Sequence, residues 1–383
     1  MKKICIISGT RAEYGLFVPI MKEINKSKSL QLQLIVTTMH LSKEHGYTYK
    51  EIEKDGFHID AKINNLVKPE STVLSYAALM KKLPIELEKL KPDTVLLLGD
   101  RFETHAAATT CLLMNIAIAH IHGGEITEGA VDEQLRHSIT KMSHLHFTST
   151  KEYKNRIMQM GEQEENIHVS GAPGIDNILS LQLKTKQELE DELQWNFGEK
   201  SALFTFHPET LSTESTRSQI DSILNTIEST KLNVLFTAAN ADTGGEIINQ
   251  QIKKFVANNK YKYKMVANLG MLNYFSAMKN IDAVIGNSSS GIIEAASYKK
   301  PVIDIGNRQK GRLTSGNVIQ CSIAGFAAAL EKAQSTNFTS HCQTVINRYG
   351  AGKAAKCIIK ALTEQPVKII KKFNDNPKEY MRS

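Results

Sequence analysis

Short, nearly uninterrupted apolar runs recur along the first half of the chain: KICIIS, LQLQLIVTT, DTVLLLGD, IAIAHI and LHFTST. Runs of this kind read as strands covered on both faces, as in a parallel sheet. Between them the spacing turns helical. GLFVPIMKEINK puts Leu16, Ile20, Met21 and Ile24 on one face, and TVLSYAALMKKLPIELEKLK predicts a helix with a kink or break at Pro84. This alternation predicts an α/β fold with a doubly wound parallel sheet. A Gly/Pro-rich VSGAPGIDN and a charged KTKQELEDELQWN then interrupt the rhythm, which resumes with ALFTFHP, NVLFTAAN, YKMVAN, DAVIGN and PVIDIGN. The expected organisation is one doubly wound domain over 1–172, a second over 173–365, and a basic tail over 366–383 packing back on the first. Two such domains facing each other would form a central cleft at the carboxyl ends of their strands.

A length of 383 residues suits two domains. The basic, apolar start ends at Ser8 with no cleavage pattern and reads better as a first strand than as a signal peptide, and no run approaches the roughly 18 apolar residues of a membrane span. Five scattered cysteines without any C-x-x-C argue against a disulfide framework or structural zinc, so a cytoplasmic setting is expected. The net charge of +7 sits largely in short runs such as KIIKKF, without the continuous basic face and interleaved aromatics of a nucleic-acid binder. It reads as solvated surface.

The chemistry-bearing residues follow strands. Arg11, Asp100, the loop from His120 to Glu125, His207, Asn240, Asn287 and Arg308 each come directly after an expected strand, so they converge on the expected cleft. GNSSSGIIEAASYKKP leaves a strand and opens a helix, where Ser288, Ser289 and Ser290 are candidates to hold an anion at a helix N-terminus. A plain serine N-cap is the competing reading. Arg308 and Arg312 of GNRQKGR, with Arg11 of GTRAEYG, favour a diphosphate. No Walker motif and no G-x-G-x-x-G is present, so a nucleoside diphosphate carried as a leaving group fits better than ATP hydrolysis or a redox cofactor. Glu294 would accept from ribose hydroxyls, or else be a surface residue complementing the helix dipole. His120 and His122 form an H-x-H pair that a metal could use with Glu125 or Asp132. No further ligand motif supports it, and no metal is expected.

Together GTRAEYG, LGDRFET, HIHGGE, DEQLRHSITKMSHLH, HPETLST, NADTG, GNSSSG and NRQKGR resemble the hydrolysing UDP-N-acetylglucosamine 2-epimerases of bacterial sialic acid synthesis. The match runs from Lys3 to about Leu362 with the motifs in family order. The resemblance implies a GT-B-like pair of Rossmann-like domains, and conversion of UDP-N-acetylglucosamine and water to N-acetylmannosamine and UDP. It implies no cofactor and a homodimer. The family's carboxylates fall on Asp100 and Asp132. Many relatives write HIEGGE, so His122 stands where they have a glutamate, and either His122 takes over its work or Glu125 reaches in. The resemblance also places His207 and Asn240 near the ligand, and Ser288, Ser289, Glu294 and Arg308 on UDP. Arg101 and Arg136 look like partners that keep carboxylates ionised or touch substrate. Asp100 has the alternative of merely capping the helix that begins near Arg101. His137, His144 and His146 are expected to be structural.

Three other activities suit these motifs. A hydrolysing epimerase for a UDP-linked 2,4-diacetamido-trideoxy sugar, feeding legionaminate synthesis, differs only in substrate. A GT-B glycosyltransferase would use the same UDP cradle, because fold does not decide the reaction. A non-catalytic UDP-sugar-binding regulator would not need Asp100.

Overall fold

The computed structural model describes residues 1–67, 71–128, 131–209, 214–239 and 244–375. The chain forms two compact units. The first holds residues up to Glu125, then Val131–Asn177, then the chain from Gly350 onward; the second holds Ile178–Tyr349 and the short piece that begins at Ile126.

In the first unit the strands are β1 (Lys2–Ser8), β2 (Leu30–Thr37), β3 (Ala61–Ile63), β4 (Thr94–Leu98), β5 (Ala117–Ile121), β6 (Leu145–Thr148) and β7 (Ile167–Val169). They make one parallel sheet in the order β3-β2-β1-β4-β5-β6-β7. Successive side chains point to opposite faces. Ile4, Ile6, Leu34, Val36, Leu96 and Leu98 therefore pack into one core, while Cys5, Ile7, Ile35, Val95 and Leu97 pack into the other. With apolar cores on both faces, each buried Ile or Leu contributes about 1.5–3 kcal/mol relative to exposure. That is why these strands read as continuous apolar runs.

Strand order reverses beside β1, which has β2 on one side and β4 on the other. Ligands of doubly wound sheets bind outside the carboxyl ends of the strands at such a switch point. The segments leaving it carry Arg11 after β1 and Asp100 after β4.

Of the kink or break expected at Pro84 the break does not occur, since the helix runs Thr72–Leu90 without interruption. A second proline, Pro19, lies inside helix Arg11–Lys26. A proline lacks the N–H that would bond to the carbonyl four residues back. For Pro19 that carbonyl belongs to Gly15, and Asn177 Nδ2 donates to it at 2.8 Å.

The chain returns to the first unit at its end. Helix Ala354–Glu364 buries Ala355, Ile358, Ala361 and Leu362 in the core beside Phe17 and Ile20. Asp176 accepts at its first turn from the amides of Ala354 (2.9 Å) and Ala355 (2.7 Å). The sequence had kept residues up to 365 with the second domain; packing of this amphipathic face against helix Arg11–Lys26 assigns them otherwise. Beyond it, Lys371 pairs with Glu162 at 2.8 Å, and His144 Nε2 lies 3.2 Å from the Ile369 carbonyl.

The second unit has β8 (Ser201–Thr205), β9 (Asn233–Thr237), β10 (Tyr263–Val266), β11 (Ala283–Gly286), β12 (Val302–Ile305) and β13 (Val318–Cys321), parallel in the order β10-β9-β8-β11-β12-β13. Phe204, Phe206, Phe236 and Phe255 fill its core. Its switch point lies beside β8, whose neighbours are β9 and β11, so His207 and Asn287 leave from it. No helix among the described residues is long and apolar enough to cross a membrane.

Candidate active site

Asp100 follows β4 after Gly99, whose φ of +78° turns the chain. The next helix, Phe102–Leu113, has Arg101 rather than Asp100 at its N-cap position. Asp100 accepts from Arg136 Nη2. Arg136 belongs to helix Asp132–Met142 and is 1% exposed. Its Nη1 donates to the Glu125 carbonyl at 3.0 Å and to Glu133 at 3.4 Å. A guanidinium removed from water must find such acceptors, and in finding them it ties the end of β4 to the loop after β5. Asp132 opens the same helix, half-buried in its first turn, where the helix dipole favours its negative charge.

Around the end of β1 lies a second acid cluster. Glu13 accepts from the amides of Gly9 (2.8 Å) and Thr10 (3.1 Å). Burial first, then the charge of Glu103, pushes its carboxyl up to about 7. Arg101 Nε donates to Glu103 at 2.6 Å. Arg11, expected on the diphosphate, pairs here with Glu51 at 2.6 Å.

The two histidines of HIHGGE do not act as a pair. His120, inside β5, is fully buried between the Gly99 carbonyl (2.7 Å from Nε2) and Thr140 Oγ1 (3.2 Å from Nδ1). Burial holds it down near 3 and therefore neutral. β5 stops at Ile121, and His122 has a φ of +66°, a left-handed conformation unusual for a side-chain-bearing residue. The alternation that would have aligned the two rings ends there. Among the described residues no group of three or more His, Cys, Asp or Glu is placed to hold a metal.

His122 Nδ1 lies 2.6 Å from Glu125 Oε1, and Ser149 Oγ, just past β6, donates to the same oxygen at 2.8 Å. The double glycine makes this loop possible. A Cβ at Gly123 would stand 2.8 Å from Thr140 Oγ1, and one at Gly124 would stand 2.6 Å from the Tyr153 carbonyl.

In the second unit Asn287 joins the ends of β8 and β11. Its Oδ1 accepts from His207 N at 2.7 Å and its Nδ2 donates to His207 O at 2.9 Å. Its carbonyl accepts from Arg308 Nη1 at 3.3 Å and Gln309 Nε2 at 2.9 Å. Burial, with Arg308's charge behind it, holds His207 near 3, leaving a neutral imidazole with a lone pair to offer.

Glu209 of the same motif accepts from the amides of Asn307 (2.6 Å) and Arg308 (3.3 Å). Gly306 has a φ of +87°, and a Cβ there would sit 2.0 Å from Glu209 Oε1. Asp304 is pushed up to about 7 by burial and by Glu209, against the opposing charge of Arg312 and Arg308.

The serine segment differs from its expectation. Ser288 is an N-cap, accepting from Ser290 N at 3.4 Å, and the helix it caps is only Ser289–Ile293 before a 3-10 turn takes over at Ala295. One turn carries little macrodipole, so the anion reading for Ser288, Ser289 and Ser290 loses that support. Burial raises the Tyr274 phenol, with Ser290, Thr205 and Ser288 acting against that rise. Glu294 ends the short helix and is 6% exposed, which excludes a surface role. Asn240 lies outside the described residues. His137 binds Glu133 at 2.9 Å, His144 accepts from Ile118 N at 3.1 Å and His146 binds Glu162 at 3.2 Å.

Ser149, Glu209 and Tyr274 were missed from sequence. Ser149 follows a strand as Asp100 does, and Glu209 sits beside His207, so strand-end position was the available signal.

Two all-parallel doubly wound sheets, each carrying ionisable residues at its switch point, define a GT-B-like α/β protein. Residues 22–363 match the family described as UDP-N-acetylglucosamine 2-epimerase. The chain belongs to that family. It is 42% identical over 341 residues, 88% of each chain, to a GDP/UDP-N,N'-diacetylbacillosamine 2-epimerase (hydrolyzing) of Campylobacter jejuni. It is 37% identical to the polysialic acid biosynthesis protein P7 of Escherichia coli, covering 98% of both. The solved UDP-GlcNAc 2-epimerase from Neisseria meningitidis, bound to UDP-GlcNAc, has the same fold, with a TM-score of 0.82 over 94% of this chain and 99% of that one at 20% identity.

Proposed function

We propose that this protein is a hydrolysing 2-epimerase that converts UDP-N-acetylglucosamine and water to N-acetylmannosamine and UDP, for sialic acid synthesis. The observation that carries the reading is the cluster of Asp100, Arg136, His122 and Glu125 at the ends of β4 and β5, ionisable groups held in place by one another. The relative named for polysialic acid synthesis, aligned over nearly the whole chain, supports the product.

The chemistry accounts for these residue types. Hydrogen at carbon 2 of the sugar adjoins no carbonyl, so a side-chain base cannot remove it from the ground state. When the anomeric C–O bond breaks, its electron pair leaves with UDP and positive charge grows on the ring. The proton on carbon 2 then passes to a protein base, and its bonding pair becomes the C1=C2 double bond of 2-acetamidoglucal, by anti elimination. Water adds at carbon 1 while a proton returns to the opposite face of carbon 2. Asp100, Asp132 and His122 serve these transfers, and His207, held neutral, accepts a hydrogen bond from the substrate. Arg308 and Arg312, with Ser288, Ser289, Ser290, Glu294 and Asn240, hold UDP. Cations there act on charge that grows as the bond breaks, so they favour the transition state. Arg11 and Arg101 would reach substrate by exchanging Glu51 and Glu103 for it. The reading includes no metal or nicotinamide, a homodimer and a cytoplasmic location.

A second reading keeps the reaction and changes the sugar to a UDP-linked 2,4-diacetamido-trideoxy hexose; the 42% identical relative favours it. The deciding experiment offers each nucleotide sugar alone in heavy water. UDP and a free 2-epimeric sugar should form in equal amounts, with deuterium at carbon 2. The substrate with the higher kcat/KM identifies the sugar. Unlabelled product would overturn the elimination route, and UDP release only on adding an acceptor alcohol would mark a glycosyltransferase.

A further inference from the structure

We propose that Glu125 and Ser149 are positioning residues that fix His122 as a single tautomer, with its hydrogen on Nδ1 and its lone pair on Nε2, so that His122 rather than Glu125 exchanges the proton. The inference rests on the epimerase reading for what the proton is used for; the tautomer itself does not depend on it.

Three features of the geometry point the same way. Glu125 is 1% exposed, and its Oε1 faces two groups, His122 Nδ1 at 2.6 Å and Ser149 Oγ at 2.8 Å. An oxygen serving both partners acts as a carboxylate acceptor, which places the imidazole hydrogen on Nδ1. The carboxylate is thus turned inward onto protein donors and is occupied.

The backbone is also committed. His122 N donates to the Phe147 carbonyl at 3.0 Å, and the left-handed φ of +66° at His122 turns its ring toward Glu125 three residues on. Arg136 holds the Glu125 carbonyl and Arg156 holds that of Gly124, so the chain on which Glu125 sits is pinned from two other helices. Strain of this sort persists only where the surroundings over-determine it.

Finally, His122 Nε2 has no hydrogen-bond partner among the described residues, and the side chain is 10% exposed. This contrasts with His120, whose two nitrogens are both engaged. When the Nε2 lone pair takes a proton, the donor atom keeps the bonding pair and the ring becomes an imidazolium. Glu125 meets that charge at once, across a hydrogen bond already made, while Ser149 keeps the carboxylate from rotating away. The other charged and titratable groups around this loop are Arg136 with Asp100, Arg156 and the neutral His120.

The test has two arms. In the first, nitrogen-15 NMR of the histidine-labelled wild-type protein, assigned through the resonances lost in His122→Gln, reads the tautomer without substrate. A single Nδ1–H form is expected, and an Nε2–H form or an even mixture overturns the proposal. In the second, Glu125→Gln should lower kcat about 100-fold with KM changed less than threefold. It should also move the pH limb owed to the imidazole to lower pH, because an imidazolium without its carboxylate is easier to deprotonate. Ser149→Ala should lower kcat several-fold, and Ser149→Thr should restore most of it. A Glu125→Gln protein whose rate falls with an unmoved pH limb has lost structure only, and sinks the idea. Should wild type turn over no acetamido sugar, the epimerase reading fails while the first arm still decides the tautomer.

Discussion

Arg136 donates through Nη2 to Asp100 while its Nη1 holds the Glu125 carbonyl, so one buried guanidinium joins the loops that follow two neighbouring strands. Asp100→Asn keeps the shape of this contact but removes the charge and the ability to carry a proton. We expect kcat to fall by roughly 10²–10⁴-fold, the range of a lost acid–base group, with UDP affinity within threefold. Steady-state rates and UDP calorimetry check it; unchanged turnover would assign Asp100 to structure.

Arg136→Ala should fail differently. Arg136 is buried but the Asp100 side chain is 23% exposed, so removing the guanidinium should cost less than the roughly 3–5 kcal/mol of a fully buried pair, and the variant is expected to show a lower denaturation midpoint in urea. A midpoint equal to wild type would mean that the guanidinium does not tie the two loops together.

Arg308→Ala should weaken UDP binding about 10- to 100-fold, as expected for a lost charged hydrogen-bond donor, and leave the melting temperature without UDP within a few degrees. Calorimetry with UDP alone isolates this from the proton chemistry.

Gly286 has a φ of +135°, and a Cβ there would stand 1.9 Å from the Thr205 carbonyl carried by the neighbouring strand. Gly286→Ala must therefore part β8 from β11 where Asn287 joins them. A loss of several kcal/mol is expected, beyond the ordinary effect of a surface substitution, read as reduced soluble yield and a lowered unfolding midpoint.

Acid should destabilise the fold in a defined way. Burial holds His40 near 4 and His120 near 3, against an ordinary value of 6.5. The unfolded chain therefore binds protons from about pH 6.5 downward that the folded chain refuses until far lower. Their stabilising effect is complete above 6.5 and lost as pH falls toward 3. From pH 7 to pH 5 the two together cost up to about 4 kcal/mol. Urea titrations across this range measure the slope, and His120→Gln should reduce it by one proton. Glu162 behaves as a carboxylate: burial would raise it, but hydrogen bonds from His146, Lys141 and Lys371 overcome this and hold it near 2. Its contribution is present above about 4.5 and lost between there and 2.

The long apolar strands were legible because both of their faces are buried, which leaves no alternation to confuse them. β3, β7 and β13 were not. They have three or four residues each, and all three lie at the edges of their sheets with residues open to water. Pro84 does not break its helix, since a proline costs a helix one hydrogen bond and tertiary packing can outweigh that.

What the sequence by itself determined is the alternation of strand and helix, the two sheets, and which residue types stand just past each strand. Hydrophobic period and strand-end position are local properties, written within a few residues. Which of those residues meet was decided only by the tertiary structure. Asp100 and Arg136 are 36 residues apart, Glu125 and Ser149 are 24 apart, and Glu162 and Lys371 are joined by the return of the far end of the chain. Hydrogen bonds act over about 3 Å. Partners that distant along the chain are set by strand order and by the packing that brings the last helix home.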